Sequence, residues 1–176
     1  DEATAIVSLL HDDSLAVVKK SGNKLSLLRT AVVGDEPRGI AISKDKRLVF
    51  VALGGEDAIA VVEVQGLINP ASKETTGLGG EEKAAAGIVT RYLAPGIPKM
   101  VRISPDGRWL VACCAVPSAV LVYNLQTNEL VSERRLFDGA FNPGVPAITS
   151  DSGLVVLPHA VNREFSVTPQ MIDIGW

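Results

Sequence analysis

The residues of this sequence that could do chemistry are few, and the most distinctive group lies near its end. His159, Asn162 and Arg163 stand close together there. A histidine beside an arginine suits metal binding, contact with a haem propionate or docking of a partner. A loop anchored by hydrogen bonds from His159 and Asn162 is the alternative interpretation.

A second group consists of cations that follow prolines. Arg38 and Lys99 come directly after Pro37 and Pro98, and Arg102 lies a few residues further on. Grouped around one opening, these side chains would hold an anion or dock an acidic partner. Solvated loop cations are the alternative.

The sequence offers few residues for metal binding or redox chemistry. His11 precedes Asp12 and Asp13, a set that suits a cation but is also typical of a turn. The two cysteines, Cys113 and Cys114, are adjacent, so on a strand they point to opposite faces. We expect two small buried side chains; a vicinal disulfide or a soft-metal site is the alternative. No Cys-x-x-Cys-His run attaches a c-type haem to this chain.

Composition excludes several classes of function. The chain has 176 residues, 47% of them hydrophobic, a net charge of −3 and a pI near 5.4, which argues against a nucleic-acid binder. The run 110–125 is too short and too interrupted to span a membrane. Lipase, metalloprotease and phosphate-loop signatures are absent, so the sequence itself shows no active site. A chain that begins at Asp1 without a signal segment is typical of a mature secreted protein or an internal fragment.

An internal repeat shows which elements must position these residues. Residues 37–52 align without a gap on residues 98–113, and a third, looser copy begins at Pro146. The segment 66–86, rich in Gly, Ala, Glu and Thr, separates the first two copies and is expected to be a surface insertion. The identities between the first two copies are Pro37 with Pro98, Ile42 with Ile103, Ser43 with Ser104, Asp45 with Asp106 and Arg47 with Arg108.

Each copy predicts consecutive short strands joined by tight turns, with β-branched residues dominant and only a short helical turn near 81–86. Four antiparallel strands in roughly 40 to 45 residues make one blade of a β-propeller. We therefore predict an all-β fold, a partial propeller of about three four-stranded blades. The predicted units are an incomplete blade 1–36 with three outer strands and no inner strand, a blade 37–97 carrying the insertion 66–86, a blade 98–144 and an incomplete blade 145–176.

These motifs resemble the YVTN family of propeller repeats, whose unit reads Pro-x-Gly-Ile-Ala-x-Ser-Pro-Asp-Gly and ends in Val-x-Val-x-Asp-Leu before Thr-Gly. Residues 37–45 and 98–107 match the first part, and residues 119–128 match the second with Asn in place of Asp and Gly. The resemblance covers residues 3–157 and implies a periplasmic, extracellular or cell-surface location.

The ending, residues 157–176, resembles a segment of propellers that are fused to, or partnered with, di-haem c-type cytochromes of the cytochrome c peroxidase and MauG kind. His159, Asn162 and Arg163 fit the His-x-x-Asn-Arg-x-Phe run of that group. The group's next run is Asn-Ile-x-x-Gly-Trp, and here Met171 stands where Asn is expected and Ser166 where Pro is more common. The resemblance implies that haem c belongs to a partner domain or subunit and that this chain carries no cofactor.

Three functions are open as hypotheses. The first is a non-catalytic propeller section that scaffolds a periplasmic c-type cytochrome redox protein, with the remaining blades and the cytochrome as partners. The second is a general ligand-binding or protein-binding module, and the third is part of a propeller enzyme completed by missing blades. Since about four to eight blades close a ring, this chain is expected to be a fragment of a larger propeller or to assemble in copies.

Overall fold

The computed structural model describes residues 3–68, 84–137 and 139–161. Three antiparallel sheets stand side by side in chain order, followed by two short strand pairs. Strands that are buried on both faces read as nearly continuous apolar runs, and residues 48–53 and 58–62 show this pattern. The fold is all-β and forms part of a propeller, as the repeat predicted.

Blade 1 has three antiparallel strands and a 3₁₀ turn, Leu10–Asp12, between the first two. The carbonyl of Asp13 accepts from the N–H of Val33 at 2.9 Å, and in blade 2 the carbonyl of Asp57 accepts from the N–H of Ala94 at 2.7 Å. Both aspartates have a positive φ. This shared geometry makes the blade 1 strands equivalent to the second, third and fourth strands of a complete blade. They are β1 (Ala3–Leu9), β2 (Ser14–Ser21) and β3 (Lys24–Val32).

Blade 2 is a complete sheet of four antiparallel strands, and its third and fourth strands are separated by the insertion. The insertion opens with a short helix. Of residues 81–86, where a short helical turn was expected, 81–83 lie outside the described residues and 84–85 form a strand. The far end of the insertion forms a two-residue strand that pairs in parallel with β3 of blade 1. In chain order the elements are β4 (Pro37–Ile42), β5 (Leu48–Leu53), β6 (Ala58–Glu63), α1 (Val64–Ile68), β7 (Ala84–Ala85) and β8 (Ile88–Leu93).

The insertion ties blades 1 and 2 together at both of its described ends. Leu67 and Ala86 are buried in the apolar core between the two blades, and the N–H of Ala86 donates to the carbonyl of Val32. The prediction of a surface insertion therefore missed that its two ends belong to the core. Residues 69–83 lie outside the described part of the chain.

Blade 3 is a complete four-stranded antiparallel sheet, and the strands after it are much shorter. They form two pairs, each two residues long, and the pair β14–β15 occupies the place of the first two strands of a fourth blade. The strands are β9 (Pro98–Ile103), β10 (Trp109–Ala115), β11 (Ser118–Asn124), β12 (Glu129–Arg135), β13 (Ala140–Phe141), β14 (Ala147–Ile148), β15 (Val155–Val156) and β16 (Ala160–Val161).

The third copy of the repeat begins at Pro143 rather than at Pro146. Asn142 has the same positive φ as Glu36 and Ile97, the residues before Pro37 and Pro98. The N–H of Thr149 donates to the carbonyl of Leu154, as that of Ser104 donates to Trp109. The third copy therefore aligns with the second copy without a gap, and blade 4 starts at Pro143.

Two apolar cores hold the blades together, one in each space between neighbouring sheets. Along β5, Val49, Val51 and Leu53 face blade 1, whereas Phe50 and Ala52 face blade 3. Blade 2 thus buries both faces of its sheet, which is the packing of a propeller. At about 25 cal/mol per Å² of apolar surface, such burial is the main stabilising contribution.

Candidate functional site

The two ends of the strand array form two rims, which we name by their elements. The strand-start rim is where inner strands begin, and it consists of residues 35–38, 54–57, 96–99 and 142–144. The turn rim is the opposite end, where inner strands turn into second strands, and it consists of residues 43–47, 104–108 and 149–153. Arg38 and Lys99 lie on the strand-start rim.

Arg38 is held in place by a local acid. Its Nη2 atom donates to Glu36 Oε2 at 2.6 Å, and the side chain is about one-quarter exposed. Its stem lies across Gly54, where an added Cβ would collide with it. The Nε atom is buried and has no hydrogen-bond partner among the described residues. Arg38 is therefore an oriented cation with one unused donor.

Lys99, the equivalent of Arg38 in blade 3, has a different partner. Its ammonium group donates to the amide oxygen of Asn142, which belongs to the start of blade 4. Arg102 lies further along β9, where it is exposed and donates from Nε to the carbonyl of Pro146 at 3.3 Å. Arg38 and Lys99 thus lie at the starts of neighbouring inner strands and line one cavity, whereas Arg102 is not among the residues that line it.

An apolar-walled cavity of about 350 Å³ opens beside Arg38 and Lys99. It spans the end of β1, the start of β4 and the start of β9. Its size falls within the usual range for a small ligand. The lining residues are Ser8, Leu10, Pro37, Arg38, Gly39, Lys99 and Met100.

His159 lies apart from this cavity. Its ring contacts the edge of Phe137, with ring centroids 5.2 Å apart, and Nδ1 lies 3.3 Å from the carbonyl oxygen of Leu157. The side chain is half-buried. Asn162 and Arg163, its predicted companions, lie outside the described residues.

No group of three or more His, Cys, Asp or Glu side chains in the described ranges could hold a metal ion. His11 lies in the 3₁₀ turn before β2, and the Asp13 carboxylate accepts from the N–H of Glu36 at 3.2 Å. The carboxylate of Asp13 thus takes part in the joint between blades 1 and 2. No helix in the described ranges is long and apolar enough to cross a membrane.

Both cysteines are free, fully buried and on opposite faces of β10. Burial, with the neighbouring Cys114 as a second cause, raises the pKa of Cys113 to about 12. Burial, followed by the charges of Asp57 and Glu133, raises the pKa of Cys114 to about 12. Thiols held protonated in this way are poor nucleophiles and poor metal ligands.

The structure adds polar residues that sequence reasoning missed. Glu56 accepts from the N–H of Asp35 at 2.8 Å and pairs with Arg91, which joins the start of β4 to the fourth strand of its own blade. Asp57 accepts from the N–H groups of Gly96 and Ile97. No local motif reveals these partners because they come from distant parts of the chain.

A second cavity, of about 320 Å³, lies between blade 3 and the pair β14–β15. Its walls include Val111 and Val122, which the repeat equates with Phe50 and Val61 of the core between blades 2 and 3. Trp109 is half-buried on this wall under the guanidinium of Arg108. The cavity is therefore a blade–blade interface that the described part of blade 4 covers incompletely.

Comparison with known proteins supports the fold. No protein-family model matches the chain, and no curated protein is similar to it in sequence. It is similar to solved structures of a Kuenenia stuttgartiensis hydrazine synthase (TM-score 0.68, 19% identity, 88% of this chain and 38% of that one) and of a functionally unknown protein from Desulfotomaculum acetoxidans DSM 771 (TM-score 0.66, 19% identity, 88% and 43%). A Bacteroides uniformis ATCC 8492 protein assigned as a 6-phosphogluconolactonase is similar too (TM-score 0.65, 11% identity, 88% and 43%). The chain spans less than half the length of each of these structures and shares with them the propeller-type fold.

Proposed function

We propose that this chain is a non-catalytic section of a larger β-propeller and that it serves as an interaction scaffold in a periplasmic c-type cytochrome redox protein. The observation that carries the proposal is that both outermost sheet faces leave interface positions uncovered. Val7 of β1 is 45% exposed, whereas its blade 2 equivalent, Val51, is fully buried. Val122 is half-buried, whereas its equivalent Val61 is 2% exposed. Residue types that suit a core stand here at a surface, which favours further blades on both sides.

The side chains on the strand-start rim support a binding role over a catalytic one. Arg38, Glu56 and Lys99 are each engaged by a neighbour, and the thiols are buried and protonated. Such an array presents fixed charges to a partner but no nucleophile beside a base. Charges arranged in this way steer and orient association.

The redox part of the proposal rests on the resemblance of residues 157–176 to propellers that accompany di-haem c-type cytochromes, and the location rests on the YVTN-like repeat. Haem c is then bound by the partner domain or subunit. This chain contributes the strand-start rim as the contact surface. Arg38 and Lys99 are its two cations nearest the shared cavity.

The test is to isolate the native assembly that contains this chain under non-dissociating conditions and to record its mass and visible spectrum. The proposal expects a species well above 18.5 kDa with a haem Soret band and a c-type pyridine haemochrome. An assembly that contains the remaining blades but no haem would overturn the redox role. A colourless 18.5 kDa monomer from the same source would overturn the scaffold role as well.

A further inference from the structure

The joint between blades 3 and 4 lacks an aromatic ring that the joint between blades 2 and 3 contains. In the latter, the ring of Phe50 is buried, and its centroid lies 6.5 Å from that of Tyr92. The ring of Tyr92 in turn lies 5.1 Å from that of Tyr123, measured between centroids. The repeat places Val111 of β10 at the position of Phe50. The blade 3 face that meets blade 4 therefore presents a smaller side chain than the equivalent face of blade 2.

The 320 Å³ cavity lies where this ring is missing. Val111 and Val122 belong to its blade 3 wall, whereas Ile148 and Val155 of β14 and β15 belong to the opposite wall. Val111 stands on a strand that is paired on both sides in a complete sheet, so the shortage of side-chain volume at this position arises in blade 3 itself. The volume of the cavity falls within the usual range for a small-ligand site. Apolar cavities of this kind exclude water and bind apolar guests such as a benzene ring.

The walls of the cavity favour a neutral guest. None of the described residues that line it carries a charge. The hydroxyl of Ser104 donates to the Asp106 carboxylate at 2.5 Å, and the hydroxyl of Ser152 accepts from the N–H of Asp106 at 3.2 Å. An ion placed here would lose its hydration without gaining a partner of opposite charge. The ring of Trp109 also lines the cavity, so a flat aromatic guest has a ring to pack against.

One latch that ties blade 3 to blade 2 is missing between blade 4 and blade 3 in the described part of the chain. The carboxylate of Asp57 accepts from the N–H of Ile97 at 2.9 Å and so fixes the start of blade 3. Ser118 is the blade 3 equivalent of Asp57, since its carbonyl accepts from the N–H of Leu136 at the end of the fourth strand. The hydroxyl of Ser118, however, donates to the carbonyl of Ala115 within its own turn. A joint without this latch opens locally at a lower cost, which gives a guest a way in.

We propose that this cavity is a binding site for a small, neutral, planar aromatic compound of one or two rings. The ring of the guest takes the place that Phe50 occupies in the joint between blades 2 and 3. Apolar burial and packing against Trp109 supply the affinity, and uncharged walls disfavour ionised analogues. The site shares no lining residue with the cavity at Arg38 and Lys99. The inference therefore stands without the cytochrome contact.

The experiment titrates the full chain with two matched probes, neutral nitrobenzene and anionic 4-nitrobenzoate. Calorimetry gives the affinity and the stoichiometry of each probe. Quenching of Trp109 fluorescence gives the location, and it is measured in the variant Trp176→Phe because Trp176 is the only other tryptophan of the sequence. We expect saturable one-to-one binding of nitrobenzene with saturable quenching of Trp109. The anionic probe should bind at least about tenfold more weakly.

Filling the cavity should remove the site. Val111→Phe introduces the residue of the equivalent joint and should weaken nitrobenzene binding at least about tenfold. Ile148→Phe fills the cavity from the blade 4 wall and serves as the second variant in case Val111→Phe does not fold. Leu130→Phe is the matched control, because Leu130 is 46% exposed and does not line the cavity. Its affinity for nitrobenzene should stay within about twofold of that of the parent chain.

Each other outcome overturns the proposal. Absence of saturable binding would show that the cavity is only an imperfectly packed joint between two blades. Equal affinity for the two probes would exclude a site that selects neutral rings. Binding without quenching of Trp109, or binding that neither Val111→Phe nor Ile148→Phe weakens, would place the guest elsewhere on the chain.

Discussion

The two rims of the strand array are built from the same repeat but differ in what is repeated. On the turn rim, Ser43–Asp45, Ser104–Asp106 and Thr149–Asp151 make the same hydroxyl-to-carboxylate hydrogen bond three times. On the strand-start rim, Arg38 pairs with Glu36, whereas its equivalent Lys99 bonds to Asn142. Uniform geometry indicates architecture, and side chains that differ from blade to blade are free to carry binding.

The turn carboxylates show how tightly the uniform rim is specified. Each accepts from a hydroxyl at the first position and from the backbone N–H two residues further on. The hydroxyl bond, then the backbone bond, lowers the pKa of Asp106 below its usual 3.8, and the pKa of Asp45 and Asp151 is lowered in the same way. A carboxylate used in this way closes a turn, so its main role here is architectural.

The largest expected effect concerns backbone spacing at the strand-start rim. A Cβ at Gly39 would lie 2.7 Å from the carbonyl oxygen of Lys99 and 2.8 Å from the Cα of Met100. Gly39→Val should therefore destabilise the chain by about 3 kcal/mol, because two inner strands must separate. Gly87→Ala is the matched control, since nothing lies within 4 Å of its Cβ position. Urea unfolding compares them, and equal midpoints would contradict the close approach of β4 and β9.

The next largest effect on stability is expected at two equivalent hydroxyl groups of the turn rim. Ser104 is 3% exposed and accepts from the N–H of Trp109, whereas the equivalent Ser43 is half-buried. Ser104→Ala should lower the free energy of unfolding by about 1 to 2 kcal/mol, and Ser43→Ala should lower it by less. Removing a buried hydrogen-bond acceptor leaves its donor unsatisfied away from water, which costs more than the same loss at a partly exposed site. Guanidinium unfolding of both variants measures the two losses of unfolding free energy, and a larger loss for Ser43→Ala than for Ser104→Ala would contradict the prediction.

Acid should weaken the turn rim selectively. The pKa of each turn aspartate is lower in the folded chain than in the unfolded chain, so its contribution is present above about pH 3.8 and is lost as the pH falls through the folded value. When the pH is lowered from about 5 to about 2.5, the urea midpoint of the parent chain should therefore drop. The drop should be smaller in the variant carrying Asp45→Asn, Asp106→Asn and Asp151→Asn. Identical pH profiles would show that these carboxylates contribute nothing.

The smallest effect on stability is expected at the cations of the strand-start rim. Arg38→Gln removes a partly exposed ion pair with Glu36, and such pairs contribute roughly 0 to 1 kcal/mol. Its urea midpoint should stay close to that of Lys46→Gln, an exposed change on the turn rim. A large loss at Arg38 alone would make this residue part of the architecture.

Much of the fold was predictable because its signals are local. Tight turns and apolar strands recur in register from Pro37 and from Pro98, and the three strands of blade 1 without an inner strand followed from the same pattern. The start of the third copy was misplaced at Pro146 because Thr149 and Ser152 replace the more familiar turn residues. Only hydrogen bonds and backbone angles identify Pro143 as its start.

The site was less predictable because its partners are distant in the chain. In the sequence Arg38 and Lys99 directly follow the equivalent prolines Pro37 and Pro98, and in the structure they are the second residues of the inner strands β4 and β9. The acid beside Arg38 is two residues away, but the amide beside Lys99 is supplied by another blade. The anchoring of the insertion through Leu67 and Ala86 depends on a core between two sheets, which no local pattern shows.

The most direct test of the difference between the rims is the affinity of the chain for the c-type cytochrome that we propose as its partner, measured by biolayer interferometry with two matched double variants. We predict that Arg38→Gln with Lys99→Gln weakens binding at least about tenfold, and that Lys44→Gln with Lys46→Gln on the turn rim leaves it within about twofold. Weaker binding for the turn-rim variant, with the strand-start variant unaffected, would contradict the assignment of the contact surface.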